Sequence, residues 1–399
     1  MRYMKVDTIT HPTGDQIPIL IDDDGLPIPT PNEFILSRRA LSTNTLLRNS
    51  RELVVFYRWL ELNNIDIWER IKTGRGFSEA EVSGGIVEAI RKEQVNTNKV
   101  KRIAVSPFTF NQRLTTIRMF VTWCFDIVLA SLPLDDQGYE RIQEQKKRVA
   151  GWMETAFINA PPSSAKERKS LKVAEVDFLL ECLNPNNPKA IGRDSAVRFR
   201  NYISIMIMVY YGLRPGELLC LRVEDVTFGA ISSIAVKRRA PNPNDTRRPR
   251  PQIKRNGRVM PIDDQVFEKN LDEYIMVWRE ELEKNAESES DYLILSDEGD
   301  PLSQSTLTQF FQRIRNKYPD KLPNHLTAKA LRHTFSSQME KHLRQAGLDE
   351  DRRKQALADL RGDSSLDSQN LYIAQEIEEQ ANAALRKYQK ELIMEDIPW

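Results

Sequence analysis

The sequence predicts a chain that is mainly α with a small antiparallel β-sheet, a helical domain followed by a mixed α/β domain. Three observations lead there. Apolar residues recur at a spacing of about 3.6 through most of the 399 residues. A stretch rich in Pro and Ser, Asn159-Ala-Pro-Pro-Ser-Ser-Ala-Lys-Glu-Arg-Lys-Ser170, breaks that period before a new one begins. Two short strand-like runs, Ile231 to Val236 and Val259 to Ile262, sit well inside the second half.

The length is too great for one ordinary core and suits two domains plus an appendage. With 40% hydrophobic and 29% charged residues the composition is globular, and a net charge of +1 means that any basic surface must be local. Cys124, Cys182 and Cys220 stand far apart in apolar contexts, as buried thiols of a reducing compartment rather than a disulfide framework. The start M-R-Y-M-K-V-D-T lacks an apolar signal core, and the longest apolar run, Tyr202 to Leu213, is too short to span a bilayer. A cytoplasmic protein with no membrane partner is expected.

Residues 1–35 carry Pro, Gly and aspartates around Ile17 to Gly25, which reads either as a strand and turn of a small hairpin or as a loosely attached arm. The helical domain spans 36–158. Ser42-Thr43-Asn44 can cap a helix bearing Leu46, Leu47, Leu53, Val54, Tyr57 and Leu60. A second helix is expected over Ser78 to Gln94. A third runs from Ser106-Pro107 through Leu114, Ile117, Phe120 and Phe125 to Ala130, with Arg113 and Arg118 on polar faces. Lys146, Lys147 and Arg148 make the next segment basic.

After the linker (159–170), the second domain covers 171–375. Val173 to Leu180 forms a helix, and Phe199 to Tyr211 a buried one with Gly212 at its C-terminal cap. Pro215 suits the first position of a further helix, leaving Arg214 at its positive end. The two strand-like runs are joined by a connection holding Lys237, Arg238, Arg239, Arg247, Arg248, Arg250, Lys254, Arg255 and Arg258 against the single acid Asp245. Prolines extend it, so a ribbon laid along a phosphate backbone is the expected use. Helices over Val266 to Lys284 and Thr306 to Lys317 follow. Residues 376–399 form an amphipathic helix with Ile377, Ala381, Leu385, Tyr388 and Leu392 on one stripe.

Between them lies T-A-K-A-L-R-H-T-F, which puts Lys329, Arg332 and His333 on adjoining turns of one helix, and then L-R-G-D-S-S-L-D-S-Q-N-L-Y. A cationic cluster with a tyrosine suits attack on a phosphodiester. No metal-ligand spacing, Gly-rich phosphate loop or Ser/His/Asp pattern accompanies it, so no metal and no cofactor are expected.

In order, the motifs are G-L-R-P-G-E at 212–217, I-K-R-N-G-R-V-M-P-I, K-A-L-R-H-T-F at 329–335, and L-R-G-D-S-S-L with Tyr372 nine positions beyond the Asp. Together they resemble the tyrosine recombinase (phage integrase) family of site-specific DNA recombinases. The resemblance implies a helical core-binding DNA domain, then a catalytic domain that cleaves and rejoins DNA through a 3′-phosphotyrosyl intermediate without metal or ATP. It implies that Arg214 and Arg332 grip the scissile phosphate, that Tyr372 is the nucleophile, and that Lys254 protonates the leaving 5′-oxygen. Glu217 would orient the first arginine and His333 would support the second. Two positions depart from the usual pattern: Lys329 stands where His is common, and Asp363 where His or Trp is. Either Lys329 and Asp363 form a compensating pair, with Lys329 supplying the phosphate contact, or Asp363 points away and its box serves packing alone. The resemblance further implies duplex DNA sites of a mobile element, a homotetramer on DNA in which the C-terminal helix docks on its own domain or a neighbour, possible accessory recombination proteins, and a nucleoid-associated location. The alternative is a DNA-binding architectural or regulatory protein that kept the fold and lost the chemistry.

Overall fold

The computed structural model describes residues 4–92, 104–159, 170–253 and 257–363. The expectations for Lys254, Arg255, Tyr372 and the C-terminal helix lie outside the described residues. The chain divides into two compact units, Met1–Ser164 with Pro241–Pro249, and Ala165–Ala240 with Arg250–Trp399.

The first unit opens with an antiparallel hairpin, β1 (Lys5–Thr10) and β2 (Gln16–Ile21), in register Lys5↔Ile21 to Thr10↔Gln16. Of the two readings of the N-terminus, the hairpin is the one that forms, but β2 pairs with the segment before it. The Asp-Gly turn that follows leads instead into α1 (Pro29–Ser37). Asn32 on that helix closes the free edge of β2: its Oδ1 accepts from the Leu20 N–H (2.7 Å) and its Nδ2 donates to the Leu20 carbonyl (2.8 Å). The Leu20 carbonyl also accepts from the Ile28 N–H at 3.0 Å, so the buried N–H is the group that depends on Asn32.

Ser42 caps α2 (Thr43–Leu62), which lays Leu46, Leu53, Phe56 and Leu60 into the core. Asp66 caps α3 (Ile67–Lys72). The helix expected over 78–94 starts instead with a π turn, Glu81–Ile86, and runs on as α4 (Val87–Arg91). Gly85 lies within it against Trp59, where a Cβ would stand 2.7 Å from the ring. Ser106 and Pro107 start α5 (Pro107–Ser131), and Asp136 caps α6 (Gln137–Thr155). Among the described residues α5 is the one helix long and apolar enough to cross a membrane. Here its Phe110, Leu114, Ile117, Phe120 and Phe125 build the core of the unit, beside Phe34, Phe56 and Trp59. Residues 241–249 also belong to this unit: Gln16 Nε2 donates to the Arg247 carbonyl (2.8 Å), and Gly14 lies against Pro241.

The second unit is built around α8 (Ser195–Tyr211), buried on nearly every side. Against it lie α7 (Val173–Leu183) and, after α9 (Pro215–Cys220) and a 3-10 turn at Val223–Asp225, a three-stranded antiparallel sheet. Its order is β3 (Val226–Thr227), β4 (Ser233–Val236), β5 (Arg258–Pro261), with Val236 opposite Arg258. A helical stretch follows as α10 (Gln265–Glu273), a π segment (Tyr274–Arg279) and α11 (Glu280–Glu283). Then come α12 (Gln304–Lys317), α13 (Ala328–Gln345), which packs on α8, and α14 (Glu350–Arg361). The core joins Ile203, Ile207, Leu218, Ile234, Phe267, Phe311 and Leu331. Cys124 and Cys182 are buried and Cys220 is half-buried, none in a disulfide.

Asn32→Ala removes both of its hydrogen bonds to Leu20 and strands the buried Leu20 N–H, while the carbonyl keeps the Ile28 N–H. It is expected to cost about 2 kcal/mol, read as faster hydrogen exchange at the Leu20 amide. Unchanged exchange would mean that Asn32 does not secure the strand.

Candidate phosphate-binding site

Two helix ends prepare the site. The first is the C-terminus of α8, closed by Gly212 in the left-handed conformation (φ 57°, ψ 30°) with its N–H on the Met208 carbonyl at 3.0 Å. An added Cβ at Gly212 would overlap the Phe335 ring of α13, so glycine is required twice over. The chain then turns through buried Leu213 to Arg214, which takes extended dihedrals as N-cap of α9, with Pro215 at the first helical position. The second is the C-terminus of α14. Gly362 is also left-handed (φ 59°, ψ 38°); its N–H reaches the Asp359 carbonyl (3.0 Å) and the Asp363 N–H reaches that of Ala358 (2.8 Å). This is a Schellman cap, and it fixes the backbone of Asp363.

Arg332 projects from α13 between these ends. Nη1 donates to the Gly212 carbonyl (2.8 Å) and Nη2 to the Arg361 carbonyl (3.0 Å). Arg214 Nη1 donates to the same Arg361 carbonyl at 3.2 Å. Cations at helix C-termini meet the negative end of the dipole, which helps to hold them. Burial first, then the neighbouring charges of Arg361 and Arg214, bring the Arg332 pKa down to about 9, which still leaves it charged at neutral pH.

Glu217 ties the arginines together. Its side chain is 1% exposed. Its Oε1 receives Arg214 Nη1 (2.7 Å), while Oε2 accepts from the Arg214 backbone N–H (2.9 Å) and from Arg258 Nη2 (3.0 Å). Arg332 Nη1 stands 3.8 Å from that oxygen. Burial alone would raise the Glu217 pKa, but Arg258, the Arg214 N–H and Arg332 outweigh it and hold the carboxyl below its ordinary range.

Asp363 completes the cluster, its side chain 5% exposed. Oδ1 pairs with Arg214 Nη2 and lies 3.4 Å from Arg332 Nη2, and Oδ2 is 3.3 Å from Arg361 Nε. The expected Lys329–Asp363 pair does not form. Lys329 is exposed on α13, and the carboxylate is turned to three arginines already desolvated around it. His333 is buried on α13 beside Arg332. Arg258, expected with the connection along a phosphate backbone, is instead engaged by Glu217, and Arg361, in the L-R-G-D motif, is a member of the cluster that was given no role from the sequence.

The other cations are placed more variously. Lys237 lies 3.3 Å from Asp225, and Arg239 is clasped by Asp225 (2.6 Å) and Glu224 (2.7 Å). Arg247 is buried on Asp245 at 2.9 Å and Arg250 is buried, whereas Arg238 and Arg248 are exposed. In the first unit Arg113 donates to the carbonyls of Ile90 (2.8 Å) and Lys92 (3.0 Å), and Arg118 pairs with Glu154 while lying over Phe157. Gln252, two positions before Lys254, passes so near the first turn of α9 that a Cβ on Gly216 would come 2.7 Å from its carbonyl oxygen. Among the described residues no group of His, Cys, Asp and Glu is arranged as metal ligands.

Residues 169–350 match the sequence model of the phage integrase family. Over that stretch the chain is similar to the phage integrase family. Among solved structures the chain is similar to XerH site-specific recombinase bound to palindromic difH substrate, with 17% identity, 88% of this chain and 96% of that one covered, and a TM-score of 0.45. It is similar to a lambda integrase dimer bound to a COC′ core site at 15% identity, with 85% and 92% covered and a TM-score of 0.46. For the Tn1549 transposon integrase with circular intermediate DNA the identity is 18%, with 67% and 75% covered and a TM-score of 0.40. No curated protein matches the sequence.

A carboxylate whose folded pKa lies below its unfolded value of about 4.3 contributes stability that is complete above that value. The contribution is lost as pH falls through the folded pKa. Glu217→Gln is therefore expected to cost about 3 kcal/mol at neutral pH, because it leaves buried arginines unbalanced. The deficit against wild type should shrink in urea titrations carried below the ordinary carboxylate range, as Glu217 itself protonates. A deficit independent of pH would assign the loss to packing.

Proposed function

We propose that this chain is a site-specific DNA recombinase that breaks and rejoins duplex DNA through a 3′-phosphotyrosyl intermediate, acting on sites of a mobile element as a homotetramer. The observation that carries the reading is the convergence of Arg214 and Arg332, from different helices, on one point with a shared carbonyl and a shared carboxylate.

In this reading the two guanidiniums donate to the non-bridging oxygens of the scissile phosphate and stabilise the pentacoordinate transition state. Tyr372 attacks phosphorus as its phenolic proton leaves, and the bond to the 5′-oxygen breaks. Lys254 protonates that oxygen, so the phosphodiester is exchanged for a phosphotyrosyl ester with no metal and no ATP. Reversal with a different 5′-hydroxyl reseals the strand. Glu217 and Arg258 hold Arg214 in place, Lys329 faces the DNA, and His333 supports Arg332. The nine residues from Asp363 to Tyr372 span up to about 30 Å when extended, ample for the tyrosine to reach the arginines. Arg238 and Arg248 are the exposed cations of the connection best suited to backbone contact.

One observation favours a second reading: Asp363 already neutralises the arginine pair. A DNA-binding architectural protein with no cleavage activity would tolerate that.

The discriminating experiment is a nicked duplex carrying the end of the element, incubated in EDTA with wild type and with Tyr372→Phe. A covalent protein–DNA band from wild type alone is expected. Arg214→Ala and Arg332→Ala should each slow its formation by on the order of 100-fold or more. DNA binding without a band from wild type would favour the architectural protein, and a band from Tyr372→Phe would move the nucleophile elsewhere.

A further inference from the structure

We propose that Asp363 is an internal stand-in for the scissile phosphate, occupying the arginine pocket of the DNA-free protein, so that DNA engages the pocket by exchanging with it. The inference rests on reading Arg214 and Arg332 as the phosphate grip.

The geometry is that of a bound anion. One oxygen of Asp363 takes an Nη from each gripping arginine, and the other faces Arg361 Nε at 3.3 Å. Carboxylate and phosphodiester present the same feature to a guanidinium, two anionic oxygens that accept from a planar fork. Both cannot hold the same Nη groups at full strength. The side chain is 5% exposed, so solvent does not screen the pairing away.

The backbone makes the exchange a local event. Gly362 and the Asp363 N–H close the Schellman cap on α14 whether or not the carboxylate engages the arginines. Rotation about the Asp363 side-chain bonds alone moves its oxygens off Arg214 and Arg332. Arg361, on the last turn of the same helix, remains within reach as the partner of the displaced carboxylate. Two arginines are then released to the phosphate, and no buried acid is left uncompensated.

The consequence is a reduced apparent affinity. A site open for only a fraction of the time binds more weakly by that fraction, and a pocket filled nine-tenths of the time by its own carboxylate loses about tenfold.

Inorganic phosphate at neutral pH and fixed ionic strength is the probe, titrated calorimetrically into the full chain. Asp363→Asn is expected to bind it about tenfold tighter than wild type, and Asp363→Glu, which restores the charge, to return most of the way. Adding Arg214→Ala to Asp363→Asn should abolish the gain. Should Asp363→Asn fail to fold, Asp363→His is read in the same way. Phosphate affinity unchanged or weakened in the folded neutral variant overturns the proposal, as does a gain that survives Arg214→Ala. The nicked-duplex assay separates this from the recombinase reading. A tightened phosphate site with no Tyr372-dependent band keeps the internal anion and removes the enzyme. A normal wild-type band with no tightening does the reverse.

Discussion

Glu217 sits in the first turn of α9 with its carboxylate 1% exposed, where an unpaired charge would cost several kcal/mol. Three guanidiniums from three elements converge to meet that demand. Arg214 comes from the cap of the same helix, Arg258 from the start of β5, and Arg332 from the inner face of α13. Arg214 and Arg258 are thereby held by hydrogen bonds, while Arg332 stands 3.8 Å away. The sheet register that sets Val236 opposite Arg258 and the packing of α13 on α8 both serve this one carboxylate. A substitution that moved β5 by one residue would turn Arg258 to the other face and leave Glu217 short of a partner.

The helix ends contribute what side chains do not. Left-handed glycines terminate α8 and α14, and the carbonyls freed there, Gly212 and Arg361, accept from Arg332 and Arg214. These arginines satisfy terminal carbonyls that the helices leave open, and the carbonyls in turn aim the arginines. Neither Gly212 nor Gly362 can be exchanged for a side-chain-bearing residue without strain at a positive φ. The fold and the site therefore share the same few backbone positions.

Much of this was legible in the sequence because the signals were local. Ser42, Ser106 and Pro107 start their helices as composition demands, Gly212 stops α8, and Pro215 opens α9 with Arg214 at its cap. What escaped was set by contacts distant along the chain. The strand partner of β2 lies before it, and Gly85 in the π turn at Glu81–Ile86 packs against Trp59 of α2. The basic connection read as nine cations against one acid, yet Glu224 and Asp225, earlier in the chain, clasp Arg239, and Glu217 claims Arg258. Sequence shows which residues carry charge; the pairing depends on which turns meet. Lys329 failed as the partner of Asp363 for the same reason, since it faces out of a helix whose inward position is held by Arg332.

The balance of charge gives the site its direction. Among these six described residues Arg214, Arg258, Arg332 and Arg361 outnumber Glu217 and Asp363, an excess of two positive charges within the set. The lowered pKa of Arg332, with burial and two neighbouring arginines as its leading causes, is the mark of that excess. Such a cluster is destabilised as it stands and relieved by an anion. Glu217 cannot provide further relief, because its oxygens are committed to holding the arginines in place. Asp363 can be moved, because its backbone is fixed by the α14 cap independently of where its carboxylate points. The two acids thus divide the work: one is structural and permanent, and the other occupies ground that a phosphodiester can take.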